Sequence, residues 1–459
     1  MERANAWKKY QEEDKRQAVY DFADGYRKFL SEHKTERECA AEAIKIAENA
    51  GYRDLKKVIA ENGKLKAGDK VYACHMGKTL ALFNIGKEPL ENGMKILGAH
   101  IDSPRIDVKQ NPLYEDSDMA YLDTHYYGGI KKYQWVTIPL AIHGTIAKKD
   151  GTVQDIIIGE KEDDPVLVIS DLLIHLSQQQ IEKKAGVVVE GEGLDILVAT
   201  KPLTGNDELE KEEKELVKAA VVQFLKEKLD MEEEDFFSAE LEIVPAGKAR
   251  DCGLDISMVL AYGQDDRVCA YTALTAEIDT KKPEHTTVTI LTDKEETGSD
   301  GNTGLNSDYV LHYIEDLASM EKVAVLKASL CLSSDVNAAY DPTFPDVYEA
   351  RNSSYINKGC VLTKYTGARG KGGSNDASAE TMAKVIGIME ENGVYWQTGE
   401  LGAVDAGGGG TIAYILAEYG MNVIDSGVAV LSMHALWEVA NKADIYEAYR
   451  GYKAFLERA

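Results

Sequence analysis

Five short segments, spread from residue 99 to residue 435, carry side chains able to hold metal ions and hydrolyse an amide. They are Ala99-His100-Ile101-Asp102, Gln264-Asp265-Asp266-Arg267, Lys294-Glu295-Glu296-Thr297-Gly298-Ser299, Ser333-Ser334-Asp335 and Ser432-Met433-His434-Ala435. Two histidines with several carboxylates, and no paired thiols nearby, suit zinc or a similar divalent ion. On a strand, residues two apart share a face, so His100 could bind a cation while Asp102 holds the other ring nitrogen. Adjacent Glu295 and Glu296 repel each other unless cations or protons compensate. Their side chains diverge, which lets Glu296 ligate while Glu295 acts as general base towards the attacking water. Asp265 has two oxygens and could bridge two cations; Asp266 could also be the bridge, and either could cap a helix. Asp335 and His434 would each complete one ion's shell. Taken singly, every motif has an ordinary structural explanation, such as an acidic turn or a hydrogen-bonded core histidine. Five in one chain favour a single two-metal site.

Most of these motifs end an apolar run that reads as a buried strand, where open α/β sheets place their ligands. The runs are residues 94–99, 286–291, 326–332 and 428–432. Helical stretches separate them. Val19, Phe22, Tyr26, Phe29 and Leu30 fall on one helical face. Thr35 followed by Glu38 predicts a capping box opening a second helix that Gly51 can close. Residues 70–85 alternate as a hairpin turning at Gly77-Lys78, and residues 306–318 are amphipathic and helical. This alternation predicts an α/β fold with a mixed, mainly parallel sheet sandwiched by helices.

From about residue 107 the texture changes to short strands, such as 135–144 and 166–170. A polar run at 206–215 then opens a helix carrying Val217, Ala220, Val221, Phe224 and Leu225. None of the five motifs lies between 107 and 245. The chain of 459 residues, too long for one core, therefore reads as a discontinuous catalytic domain, 1–106 and 246–459, with an inserted β-rich domain at 107–245.

With 78 acidic against 52 basic residues the formal charge is −26, which argues against nucleic acid and anionic membranes as partners. No apolar stretch approaches the ~20 residues needed to span a bilayer. Residues 1–13 are polar and charged, so no export signal is expected. The six cysteines (Cys39, Cys74, Cys252, Cys269, Cys331, Cys360) contain no C-x-x-C pair and read as free thiols of a reducing, cytoplasmic compartment.

In order and content the motifs resemble the aminopeptidase I/aspartyl aminopeptidase family of dinuclear metallopeptidases. The matching pieces are Gly98-Ala99-His100-Ile101-Asp102-Ser103-Pro104-Arg105, Tyr127-Gly128-Gly129, Glu295-Glu296-Thr297-Gly298-Ser299, Ser334-Asp335, Gly409-Gly410-Thr411-Ile412 and Met433-His434. The resemblance implies a zinc-peptidase-like fold that removes single residues from the amino termini of peptides. It implies two divalent metal ions per subunit, zinc first, with cobalt and manganese as alternatives. His100, Asp265 and Asp335 would hold one ion, and Asp265, Glu296 and His434 the other. Glu295 becomes the general base and Asp102 the residue that orients His100. The insert becomes a dimerisation domain, and the homo-oligomer a tetrahedral dodecamer around an internal chamber. Leu173-Ile174-His175-Leu176 matches a segment whose histidine reaches a neighbouring subunit's active site, which makes His175 a substrate-binding residue. Lys364 matches a lysine that holds an acidic substrate side chain, and by itself it reads equally as an ordinary loop lysine. Two departures stand out. Relatives usually carry Leu-Asp-Asn where this chain has Gln264-Asp265-Asp266-Arg267, and the glycine-rich residues 364–375 lack an Arg-Tyr-Ala piece. Preference for acidic or neutral first residues therefore stays open. The same metal chemistry would also serve a di-metal carboxypeptidase or deacylase, and an inactive assembly or peptide-binding protein could keep the fold.

Overall fold

The computed structural model describes residues 4–61, 63–205, 214–318 and 322–459. Most of the polar run at 206–215, residues 206–213, lies outside them. The described chain divides into two compact units: Met1–Ser103 with Ala249–Met433 and Trp437–Ala459, and Pro104–Lys248 with His434–Leu436.

The first unit is built on a nine-stranded sheet. Its strands are β1 (Arg53–Asp54), β2 (Lys70–His75), β3 (Thr79–Asn84), β4 (Lys95–His100), β5 (Thr287–Thr292), β6 (Leu330–Ser334), β7 (Cys360–Thr363), β8 (Trp396–Thr398) and β9 (Asn422–Gly427). Their spatial order is β1-β2-β3-β5-β4-β6-β9-β7-β8. The centre is parallel. β4 pairs with β5 on one side, bringing Thr292 opposite His100, and with β6 on the other, bringing Ser333 opposite Gly98. β6 in turn runs parallel to β9, with Ser334 opposite Ser426. Because these strands finish in step, the residues that follow β4, β5 and β6 leave from one sheet edge.

Both faces of that centre are covered, so its strands are buried along their whole length rather than on alternate residues. Leu97, Ala99, Leu291 and Leu332 join one core with Phe29, Leu30, Ala43, Val268 and Phe455. Ile96, Ile290 and Cys331 face a second core with Tyr309, Val310 and Leu416. The first core is supplied by α1 (Glu13–Glu32), α2 (Glu36–Asn49), α3 (Gln264–Asp279) and α4 (Lys442–Arg458). The capping box at α2 forms as its sequence dictates: the Glu38 N–H reaches Thr35 Oγ1 at 3.3 Å, and the Thr35 N–H reaches Glu38 Oε2 at 3.1 Å.

A second sheet in this unit orders Arg250–Cys252, Met258–Ala261, Glu438–Asn441, Ala429–Leu431 and Asn337–Ala338. Met258–Ala261 leads through Tyr262-Gly263 into α3. Gly263 has φ +68°, and a Cβ there would collide with the Arg267 guanidinium, so the turn needs glycine on both counts.

The second unit carries a six-stranded antiparallel sheet in the order Val153–Ile158, Leu140–Ala147, Ala239–Pro245, Arg105–Asp116, Met119–Tyr127, Ile196–Ala199. A helix spans Leu216–Leu229.

Three sequence expectations shift. Residues 326–328 end a helix, Lys322–Ala328, and the strand starts only at Leu330. Leu, Lys and Ala are strong helix formers, and a short apolar run does not fix the period. The strand expected at 135–144 begins at Leu140, after Pro139, which has no N–H to give a ladder. Residues 166–170 contribute only isolated bridges, Leu140 with Leu167 and Val168 with Leu197.

Candidate active site

His100 is the last residue of β4 and is buried. The strand stops there, so Asp102 approaches the ring from the following loop and not from two residues along a strand. His100 Nδ1 lies 3.0 Å from the Asp102 carbonyl oxygen and 3.2 Å from Asp102 Oδ1. Both are acceptors, so Nδ1 carries the proton and Nε2 turns its lone pair outward. Nε2 then meets Asp265 Oδ1 at 3.2 Å and Glu295 Oε2 at 3.8 Å. A lone pair facing carboxylate oxygens at this range calls for a cation or a proton between them.

Asp265 and Asp266 open α3, and both are buried. Their carboxylates part company. Asp265 Oδ1 faces His100 Nε2, whereas Asp266 Oδ2 sits 3.4 Å from the His100 backbone N–H. The residue before α3, Gly263, has no side chain to cap it. Instead Glu438, buried on its own strand, accepts the N–H groups of Gln264 at 2.6 Å and Asp265 at 3.1 Å through Oε2. Ser103 Oγ donates to the Asp265 carbonyl at 2.8 Å. The wholly buried Arg267 donates to Ser103 Oγ at 3.2 Å and to the Gly263 carbonyl at 2.9 Å.

Glu295 and Glu296 sit in a single 3₁₀ turn, Glu295–Thr297, just beyond β5. Their N–H groups are each 3.2 Å from one oxygen of Asp102, Oδ1 for Glu295 and Oδ2 for Glu296. Asp102 thus touches both the His100 ring and the turn. Asp335 follows β6, and its N–H donates to the Ser426 carbonyl of β9 at 3.3 Å. A Cβ on Gly427 would collide with the Asp335 carbonyl, so this close approach also requires glycine. His434 adopts φ +63°, and its Nδ1 lies 3.0 Å from the Gly129 carbonyl oxygen, which makes Nε2 the candidate ligand atom.

Among the described residues, two groups have potential ligand atoms all within 4.8 Å of one another: His100, Asp265 and Asp335, and Asp265, Glu296 and His434. Asp265 belongs to both. The electrostatics suit cations. Burial, then the neighbouring Asp266 and Glu295, pushes the Asp335 carboxyl well above the usual carboxylate range. Burial does the same to Asp266, with Asp265 adding to it. Burial works against a charged His100, yet the hydrogen bonds to Asp102 and Asp265 raise its pKa well above the ordinary value. So many acidic groups in one place are mutually destabilising until positive charge arrives, and the imidazole–carboxylate donor set fits zinc.

Of the other sequence candidates, Asp102 and Glu295 touch or approach the His100 ring without belonging to either group, and His175 and Lys364 belong to neither. His175 is exposed in a 3₁₀ turn, Ile174–Leu176, beside outward-facing Leu172, Leu173, Ile174 and Leu176. Lys364 follows β7, half-exposed, with its ammonium paired to Asp376; Lys371 pairs with the same carboxylate at 2.8 Å. Among the supporting residues, Arg267 closes one motif without an assigned role, and Glu438 and Asp293, which accepts the Lys294 N–H at 2.8 Å, lie outside all five. The one hint was position: Asp293 directly follows β5, two residues before Glu295.

Comparison with known proteins places the chain in a family. The family described as "Aminopeptidase I zinc metalloprotease (M18)" matches residues 29–456. A Clostridium acetobutylicum protein described as "Probable M18 family aminopeptidase 1" is 56% identical over 459 residues, 98% of this chain and 97% of its own. A crystal structure of an M18-family aminopeptidase from Thermotoga maritima superposes with a TM-score of 0.93 at 42% identity, covering 100% of both chains. A structure of the S. cerevisiae mApe1 dodecamer, at 21% identity, shares the fold with a TM-score of 0.77 over 95% of this chain and 97% of that one. The chain belongs to the aminopeptidase I zinc metalloprotease family. It is a zinc metallo-aminopeptidase, a hydrolase. Among the described residues, no helix is long and apolar enough to cross a membrane.

Proposed function

We propose that catalysis uses a dinuclear zinc centre that shares Asp265, with Glu295 as general base. The observation that carries this reading is Asp265's membership of both ligand groups, with Glu295 Oε2 3.8 Å from His100 Nε2. His100, Asp265 and Asp335 would hold one ion, and Asp265, Glu296 and His434 the other. When bound, zinc supplies the Lewis acidity that polarises the scissile carbonyl and makes water more acidic. Glu295 takes the proton of the attacking water and passes it to the leaving amine. The first residue departs as a free amino acid, and the remaining peptide gains a new amino terminus. Asp102 keeps the His100 tautomer fixed and holds the turn that carries Glu295 and Glu296.

Lys364 is the proposed contact for the substrate's first side chain. Lys364 and Lys371 share the single Asp376 carboxylate, which leaves a net positive charge beside Lys364, so acidic first residues should be turned over faster. A panel of amino-acyl substrates tests this, and faster turnover of leucyl than aspartyl substrates would contradict it. For assembly, we read the second unit as the dimerisation domain of a homo-oligomer, with the dodecamer of the yeast relative as the template. His175 would then serve a neighbouring subunit. The outward apolar side chains around it support this reading, since such patches mark interaction surfaces. We assign the chain to the cytoplasm and propose peptides as its substrates, as its family membership suggests.

The test of the central reading is Glu295→Gln. Zinc content should be retained while kcat falls about 10²–10⁴-fold. Turnover near the wild-type rate would remove Glu295 from the role of base.

A further inference from the structure

The turn that presents Glu295 is held by three successive backbone N–H groups, and one of those bonds depends on a residue outside the motif. Lys294 N–H donates to Asp293 Oδ1 at 2.8 Å, and the next two N–H groups go to Asp102. Lys294 has φ +68°, a left-handed conformation that a lysine keeps only when its surroundings hold it. Asp293 is buried, and its second oxygen, Oδ2, accepts the hydroxyl of buried Thr303 at 2.6 Å. The segment bearing Thr303 returns against the strand end, where Gly304 forms an isolated parallel bridge with Asp293. It also closes the loop from the far side: Ser299 N–H donates to the Lys294 carbonyl at 2.8 Å, and Asn306 N–H to the Ser299 carbonyl at 3.2 Å.

Charge alone does not orient Asp293: its acidic neighbours Glu36 and Asp102 repel it, and Lys78, which attracts it, also pairs with Glu36 at 3.0 Å. A buried carboxylate repelled from two sides takes its orientation from hydrogen-bond donors. Thr303 supplies one and the Lys294 backbone the other.

We propose that Thr303 is a positioning residue for the aminopeptidase reaction: through Asp293 it fixes the left-handed Lys294 and so the placement of Glu295. This rests on the reading of Glu295 as general base. The latch bond is at Lys294, next to Glu295 and one residue further from the proposed ligand Glu296, so it governs the rate of proton transfer first and zinc occupancy only secondarily.

Thr303→Val keeps the shape and removes the hydroxyl. In the zinc-loaded full-length enzyme, kcat should fall about ten- to a hundredfold, as expected for a displaced catalytic group, with KM and zinc content unchanged. Thr303→Ser should restore kcat. Independently of activity, amide hydrogen exchange in the peptide 293–299 should speed up in Thr303→Val and return to the wild-type rate in Thr303→Ser. Should the valine variant not fold, Thr303→Ala gives the same readouts. Wild-type exchange and kcat in the hydroxyl-less variant would overturn the proposal. So would zinc loss parallel to the activity loss without recovery in Thr303→Ser. Failure of the base assignment looks different: Glu295→Gln would stay active while exchange at 293–299 still responded to Thr303.

Discussion

Two turns deliver the chemistry, and they are built to opposite specifications. The start of α3, carrying Asp265 and Asp266, is sealed: both carboxylates and Arg267 are buried, and Glu438, Ser103 and Arg267 tie down its backbone. The turn carrying Glu295 and Glu296 keeps its side chains partly open, with Glu295's side chain 17% exposed, while Asp102 and Asp293 hold its backbone. In both cases a carboxylate distant in sequence accepts the N–H of a functional carboxylate's own residue. The difference lies in access. A shared ligand benefits from rigidity and exclusion of water, whereas a base must reach both water and leaving group.

That contrast can be broken at the sealed turn first. Asp265→Ala removes a donor common to both ligand groups, so activity should drop to background and bound zinc should fall sharply by elemental analysis. Unchanged zinc would show that the sealed turn does not serve the ions. A step smaller, Glu438→Ala leaves the ligands in place but frees the N–H groups of Gln264 and Asp265. Zinc affinity in chelator competition should weaken about 10–100-fold, the usual cost of losing a ligand's support. Wild-type affinity would mean that burial alone fixes Asp265.

The smallest effect concerns stability at the rear of α3. Burial pushes the Glu277 carboxyl up to about 7, although Thr287 and Tyr52 donate to it at 2.9 and 3.0 Å. A raised folded-state pKa means the stability contributed is complete below the unfolded value near 4.5 and is lost as pH rises through about 7. Glu277→Gln should therefore flatten the stability profile between those limits, by something on the order of 3 kcal/mol. Denaturant melts at pH 5 and pH 8 measure it; parallel wild-type and variant profiles would contradict the shift.

Much of the fold was legible from runs of apolar residues. The strands ending at His100 and Thr292 are buried on both faces, so their sequences are unbroken and easily read. The Thr35 capping box was equally plain because its signal is local. Residues 326–328 misled because three helix-forming residues precede a strand with no break between them. The site's chemical groups were visible as motifs, since a histidine or an acid pair is conspicuous in sequence. Sequence favoured Asp265 over Asp266 as the bridge without deciding between them; the fold sends Asp265 towards His100 Nε2 and Asp266 to the His100 backbone. Glu438, Asp293 and Thr303 were invisible for a different reason. Glu438 acts on a backbone N–H 174 residues away and Thr303 on Asp293 across 10, and no spacing rule records such pairings or Asp293's bond to its neighbour's N–H.

The central claim is that Asp265 is shared by two ions. Its most direct measurement is the zinc-to-protein ratio of the purified, zinc-saturated wild-type enzyme, determined by elemental analysis beside amino-acid quantification. Two zinc ions per chain is the predicted result; a ratio that saturates at one would contradict it.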